Sequence, residues 1–280
     1  MIGPDGALVP ERPSALARAP WWLLALAFAG VLLGWRLATD ALWRDIAGRL
    51  LDGLGVTLLV TAVGFPLALA LGLCAALGLV SARPIPRQLA TLYVQVVRGL
   101  PVLVQIFLVA FVVTPLGVEA LRALGGALAF WPAASETLAG LRSSDVPMGA
   151  RVVAALVFAY GAFIAETLRG GLTSLPRGQA EAARALGLSR FQALRHVLLP
   201  QTFRRVLPNL GNDLICLLKD SALVSVLGVR DITQEARLYQ SATFRYAESL
   251  ALLAFFYLAL TLLIALAVRA LENRYRRHAA

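Results

Sequence analysis

Long apolar stretches, separated by short charged ones, make up most of the chain. Gly53 to Val80 carries no charge and has Pro66 inside it. Gly99 to Gly117 and Leu250 to Val268 are also uncharged. Val152 to Ala165 is apolar, and the wider stretch Pro147 to Leu168 has only Arg151 near its start and Glu166 near its end. A helix needs roughly 17–25 such residues to cross a bilayer, and each of these stretches supplies them. Leu207 to Val229 is apolar too but holds Asp213, Lys219 and Asp220. Pro20 to Trp35 is shorter, fenced by Arg18 and Arg36, with Trp21, Trp22 and Trp35 at its ends, where interfacial aromatics belong. It is read as a retained span. Its core exceeds the ~7–15 apolar residues of a signal peptide, and Leu37-Ala38-Thr39-Asp40 is a poor cleavage site. The pattern predicts an all-α, polytopic membrane helical bundle of about six spans, with a kink at Pro66.

The same pattern divides the chain into a tail at 1–19, a first span at 20–36, an external loop at 37–52 read as a short surface helix, a body of further spans at 53–270, and a basic tail at 271–280. Two longer loops interrupt the body, at 115–146 and 169–205. Composition agrees with a lipid-facing chain. Of 280 residues 59% are apolar and 15% charged, with a mean hydropathy of +0.74, against a usual ~45–50% and ~25%. A soluble domain of this size has no way to bury that much apolar surface.

A net charge of +10 would suit a nucleic-acid binder, but the positions of the charges point elsewhere. With the N-terminus inside, sixteen arginines and four acids fall on the inner side, and nine of each fall outside. This is the inside excess of arginine expected of a membrane protein with both termini cytoplasmic. No nucleic-acid partner is implied.

Several chemistries are excluded. Lys219, the one lysine, lies between Leu218 and Asp220, so there is no Gly-Lys-Ser/Thr phosphate loop. Cys74 and Cys216 lie in apolar runs and read as small packed hydrophobes. His196 and His278 have no ligand at metal spacing. No catalytic triad or metal cluster supports an integral-membrane enzyme, and no cofactor-binding motif is present. A secondary transporter coupling to an ion through Glu166, Asp213 or Asp220 is the competing mechanism.

The inner loop at 178–200 has the most defined local structure. Ala180 to Leu186 are helix formers, and Gly187 is placed for a left-handed cap. Ser189 with Gln192 three residues on makes a capping box. Phe191, Leu194 and Leu198 then share one helical face, and Pro200 is expected to end the helix. The result is two short helices around a glycine turn, read either as an amphipathic interfacial helix held by attraction of arginine to lipid phosphate or as a rigid knob offered to a cytoplasmic partner, which the glycine break and the acidic Glu181 favour.

Charges inside the spans are costly unless paired or wetted, so they mark candidate positions for a passage. Asp213 and Asp220, seven apart, share a face. Lys219 and Asp220 are open to two readings, interhelical ion pairs or contact with solute. Asn212 and Asp213 fit a gate or a packing role. Glu166 and Arg169 are spaced to pair across one turn. Arg98 fits an inner-interface position, reached by snorkelling. Gly161 and Ala165 mark a close helix contact.

Glu181-Ala182-Ala183, Gly187 and Val197-Leu198-Leu199-Pro200 resemble the EAA loop of bacterial ABC-importer permeases. The flanking segments Tyr93–Gln105, Ala162–Gln179, Leu199–Asp213 and Leu218–Gly228 are similar to the polar amino-acid permeases of the histidine/glutamine/arginine group, over about Gly53 to Arg277. Leu100 and Ser221-Ala222 depart from the usual residues of that group, which leaves the solute open to relatives such as cystine or an opine. The resemblance implies a five-span permease core plus one extra N-terminal helix, in the bacterial inner membrane. It implies a second permease subunit, a pair of cytoplasmic ATPase subunits that use ATP and magnesium, an external binding protein and an amino-acid substrate. It also implies coupling to the ATPase through Glu181, Ala182, Ala183, Gly187, Leu199 and Pro200. The passage is then sought among Arg98, Glu166, Asn212, Asp213, Lys219, Asp220 and Ser221.

Overall fold

The computed structural model describes residues 21–127 and 132–277. The expectations for the tail 1–19, for Pro20 and for the final residues 278–280 lie outside the described residues. An apolar run in lipid must satisfy its own backbone hydrogen bonds, and the helix does so within one segment. The chain divides into two compact units at residues 48 and 49.

The first unit contains α1 (Trp21–Thr39) and the start of α2 (Ala41–Leu79). Within α1, Leu24–Thr39 is apolar but shorter than a full span, and Phe28, Val31 and Trp35 are exposed. Asp40 caps α2 by accepting the Leu42 amide at 2.9 Å. The segment 37–52, expected as an external loop with a short surface helix, is helical from Ala41, and that helix runs on without a break to Leu79. Hydropathy falls where Arg44, Asp45, Arg49 and Asp52 appear, but helical hydrogen bonding does not stop there, because no proline interrupts it.

The second unit carries the rest. After α2, whose helix continues through Pro66, come α3 (Pro84–Arg98) and a break at Gly99-Leu100-Pro101. A composite helix follows, made of α4 (Val102–Leu108), a π-helical turn (Val109–Val113) and α5 (Thr114–Ala127). Then come α6 (Pro132–Ala139), α7 (Met148–Thr173) and α8 (Arg177–Ala185). The short α9 (Arg190–Gln192) leads through a second π turn (Ala193–Leu198) into α10 (Leu199–Asp220). A 3₁₀ segment (Ser221–Leu227), α11 (Ile232–Thr243) and α12 (Tyr246–Arg277) complete it.

Among the described residues, four helices are long and apolar enough to cross a bilayer: Ala41–Leu79, Val102–Ala127, Met148–Thr173 and Tyr246–Arg274. The stretch 207–229, expected as one span, is composite, the end of a polar-faced helix continued by the 3₁₀ segment. Helix α7 is the central one. Half of its apolar window is buried, against 6% for α12. Glycines let neighbours approach it. A Cβ on Gly161 would lie 2.6 Å from the Tyr93 hydroxyl, and one on Gly171 would overlap Val206 of α10. Thus Gly161 and the fully buried Ala165 make their close contacts inside the chain. Helix α3 packs against α7, with the Tyr93 hydroxyl donating to the Phe158 carbonyl at 2.7 Å.

Both π turns end two residues before a proline, Pro115 in one case and Pro200 in the other. A proline ring collides with the carbonyl four residues back, and the wider π turn moves that carbonyl aside. Pro200 therefore does not stop the helix as expected. In the first π turn the displaced carbonyls find partners. Thr114 Oγ1 donates to Val109 at 2.7 Å, and the Arg151 guanidinium donates to Ala110 at 2.9 Å. Arg151 also reaches the carbonyls of Val146 and Ser143.

A buried polar junction joins α2, α11 and α12. Asp231 is fully buried and caps α11, accepting the Gln234 amide at 2.8 Å. The Tyr257 hydroxyl donates to its other oxygen at 3.4 Å, and the Ile232 amide donates to Thr57 Oγ1 at 3.2 Å. Burial holds the Asp231 carboxyl above the usual carboxylate range, and the capping bonds oppose this only partly. With the folded-state value raised, the folded chain binds the extra proton, so stability falls as pH rises from the ordinary aspartate value through the folded one. Asp231→Ala should lower stability by about 1 kcal/mol through loss of the cap. Asp231→Asn should keep the cap and abolish this pH-dependent loss. Thermal unfolding in detergent across that pH range checks both, and an Asn variant as pH-sensitive as wild type would contradict the assignment.

Candidate functional site

The knob at 178–200 is built as its residues dictate. Helix α8 ends in a Schellman cap: the Leu188 amide donates to Ala183 at 3.1 Å, the Gly187 amide donates to Arg184 at 2.9 Å, and Gly187 has φ +81°. The next helix opens with the reciprocal capping box. Ser189 Oγ accepts the Gln192 amide at 3.3 Å, and Gln192 Oε1 accepts the Ser189 amide at 2.9 Å. Ala183 and Ala193 are buried inside the turn. Of the expected coupling residues, Glu181, Ala182, Gly187 and Pro200 are exposed and Leu199 is half-buried. Ala183 packs inward instead.

Two apolar side chains flank the exposed Gly187. Leu186 is 82% exposed and Phe191 67%. Leu186 was not singled out by periodicity, because it sits at the cap, where helical phase ends. Phe191 was expected to share a face with Leu194 and Leu198. The π turn changes the phase between them, so Phe191 projects outward while Leu194 and Leu198 are half-buried. The knob is tied to α10 by Gln201, which donates to Gln179 at 3.1 Å. Arg205 of α10 in turn donates to the carbonyl of Ser174, at the end of α7, at 2.5 Å and to its hydroxyl at 3.0 Å.

Helices α7 and α10 carry most of the charges singled out in the apolar runs, Glu166 on α7 and Asp213, Lys219 and Asp220 on α10. Asp220 accepts the Tyr160 hydroxyl at 2.8 Å, and Asp213 accepts the Thr167 hydroxyl at 3.2 Å. Positions 160 and 167 on one helix match 220 and 213 on its antiparallel neighbour, so one seven-residue repeat makes both bonds. Asp220 is thus held by a tyrosine rather than in an ion pair. Lys219 is exposed, and among the described residues no carboxylate lies within ion-pair distance of it. The two side chains project about 100° apart, so a helix face that suits one cannot suit the other.

Glu166 gathers a second group. It pairs with Arg169 at 2.6 Å, as the spacing predicts, and with Arg98 from α3 at 3.9 Å. The Arg98 guanidinium also stands over the Phe163 ring, 5.8 Å from its centroid. Arg98, Glu166 and Phe163 are thus brought together, whereas Asn212 is exposed on α10. Ser221 is fully buried and donates to the Leu218 carbonyl at 2.7 Å, so its hydroxyl serves the end of α10. Tyr160, Thr167 and Gln105 went unnoticed in the sequence because uncharged polar residues do not disturb an apolar run. Gln105, 95% buried, donates to the carbonyls of Val97 at 2.7 Å and Leu100 at 2.9 Å, bridging the break between α3 and α4.

The hydroxyl–carboxylate bonds should be measurable. In a double-mutant cycle of Tyr160→Phe and Asp220→Asn, the coupling energy should fall near 0.6 kcal/mol and below about 1.7 kcal/mol, the range of hydrogen bonds between membrane helices. Equilibrium unfolding in mixed micelles supplies the four stabilities, and strictly additive losses would show that the bond contributes nothing.

A family profile for the inner membrane component of binding-protein-dependent transport systems matches residues 64–277. The glutamine transport system permease protein GlnP of Escherichia coli K12 is 33% identical over 85% of this chain and 97% of its own length. The arginine ABC transporter permease protein ArtQ of Haemophilus influenzae is 35% identical over 67% of this chain and 76% of its own. A crystal structure of an amino acid ABC transporter with histidines is 32% identical, with a TM-score of 0.64 over 81% of this chain and 94% of that one. The methionine transporter MetNI, in an inward-facing conformation, shares the fold at 20% identity, with a TM-score of 0.62 over 81% of this chain and 95% of that one. The capped knob, the helices that carry it and these likenesses agree: the chain belongs to the family of inner membrane components of binding-protein-dependent transport systems.

Proposed function

We propose that this chain is the permease subunit of an ATP-driven importer for polar amino acids. A second permease subunit completes the passage, an external binding protein delivers the solute, and a cytoplasmic pair of ATPase subunits docks on the knob. ATP and magnesium are bound there and not by this chain. Both termini lie in the cytoplasm, which the inside excess of arginine supports. The amino-acid assignment leans on the relatives described above, and the polar, charged positions along α7 and α10 suit a zwitterionic solute.

The observation that carries the reading is the knob. Its two helices are fixed to each other by a glycine cap and a capping box, and Gln179–Gln201 fixes the first of them to α10, which Ser174–Arg205 ties to the end of α7. Leu186 and Phe191 are its apolar anchors, and Glu181 is its exposed acidic residue. A partner that grips this surface moves α10, and α7 through it. Those helices hold Asp213, Asp220, Glu166 and Arg169, and Arg98 reaches Glu166 from α3, so motion at the knob reaches the candidate passage without a flexible joint.

Gly187→Val places a β-branched residue in the left-handed region, a strain of about 1–2 kcal/mol or more, and disrupts the cap. This variant and Glu181→Lys should abolish uptake while the permease still reaches the membrane. Co-purification with the ATPase and solute uptake into proteoliposomes are the measurements. A Gly187→Val protein that binds the ATPase like wild type would remove the knob from the coupling role.

A further inference from the structure

We propose that the groove between the knob and the end of α2 is a binding site for an anionic phospholipid of the cytoplasmic leaflet. The groove has a volume of about 470 Å³, within the ~300–1,000 Å³ of small-molecule sites. Its walls are Leu77, Val80 and Ala82 on one side and Ala193, Leu194 and Leu198 on the other, with Arg184 and Arg190 also lining it. No acidic side chain lines it. Among the described residues neither arginine has a carboxylate within ion-pair distance. Arg184 Nε donates to the Ala180 carbonyl at 3.2 Å, which leaves the terminal nitrogens of its guanidinium for another acceptor.

Depth selects the occupant. Leu77 is in the last turn of an apolar span that ends at Leu79, and Ser81, Ala82 and Arg83 follow directly. The groove therefore sits where hydrocarbon gives way to headgroups. A ligand that suits it has an apolar chain for the leucines and an anionic group for two guanidiniums. A phospholipid with a net negative headgroup has both, and basic pockets at this depth attract such headgroups. A free anion would leave the apolar walls unfilled, and a zwitterionic lipid would leave the arginines without a net countercharge. Because Arg184, Arg190 and Leu194 belong to the knob, a lipid here would brace the knob against α2. The choice of leaflet rests on the orientation proposed above.

The test uses the full transporter complex, purified with its ATPase partner and reconstituted in nanodiscs of equal parts phosphatidylglycerol and phosphatidylcholine. Phospholipid retained per permease after detergent washing is measured by mass spectrometry. Wild type should retain phosphatidylglycerol selectively. The R184Q/R190Q pair should retain at least tenfold less, R184K/R190K should keep most of it, and Leu194→Trp should lose it by filling the groove. Equal retention by wild type and R184Q/R190Q would overturn the site, as would complete displacement by inorganic phosphate alone or by added ATPase. Co-purification of the ATPase, followed in the same samples, reports separately on the docking role of the knob.

Discussion

A helix that carries acidic side chains into an apolar phase needs a partner that can answer them, and the pairing of α10 with α7 meets that need. Tyr160 and Thr167 donate to Asp220 and Asp213 at matched seven-residue intervals, and Gly171 lets the two backbones come close enough for those bonds to form. Helix α10 alone is too polar to count among the apolar spans. Its position depends on α7, the most buried of them, and the knob between the two helices inherits its placement from that contact.

A second constraint is the need to carry prolines inside helices. Pro115 and Pro200 each follow a π turn, and in the first the exposed carbonyls are satisfied by Thr114 and Arg151. Such turns alter which residues face the same way. Around Pro200 this separates Phe191 from Leu194 and Leu198, leaving the first as an exposed anchor and the others as the wall of a groove. One local adjustment thus sets both the exposed side chain of the knob and the wall of the groove beside it.

Much of this was legible from the residues. The apolar runs at 53–80, 99–117, 147–168 and 250–268 each fall largely within a helix, because an apolar run of that length has few alternatives in lipid. The Gly187 cap, the Ser189–Gln192 box and the Glu166–Arg169 pair were also readable, since each is a contact between residues within a few positions of one another. Boundaries were less legible. A separate short surface helix was expected at 37–52, whereas the helix that begins at Ala41 continues to Leu79, and the apolar stretch at 207–229 is composite, α10 followed by a 3₁₀ segment. In both cases charge and helical hydrogen bonding change at different residues.

The sequence by itself determined the class of the molecule, the membrane helices and the local fold of the knob, because these follow from composition, periodicity and short-range hydrogen bonds. Only the tertiary structure decided which distant groups meet. It showed Tyr160 rather than a cation at Asp220, Arg98 drawn to Glu166 from another helix, Ala183 turned inward from the knob surface, and Ser221 committed to a helix end. Those outcomes depend on how helices far apart in sequence cross and on which way a side chain projects. Both are set by glycine contacts and π turns whose consequences appear only once the helices are packed.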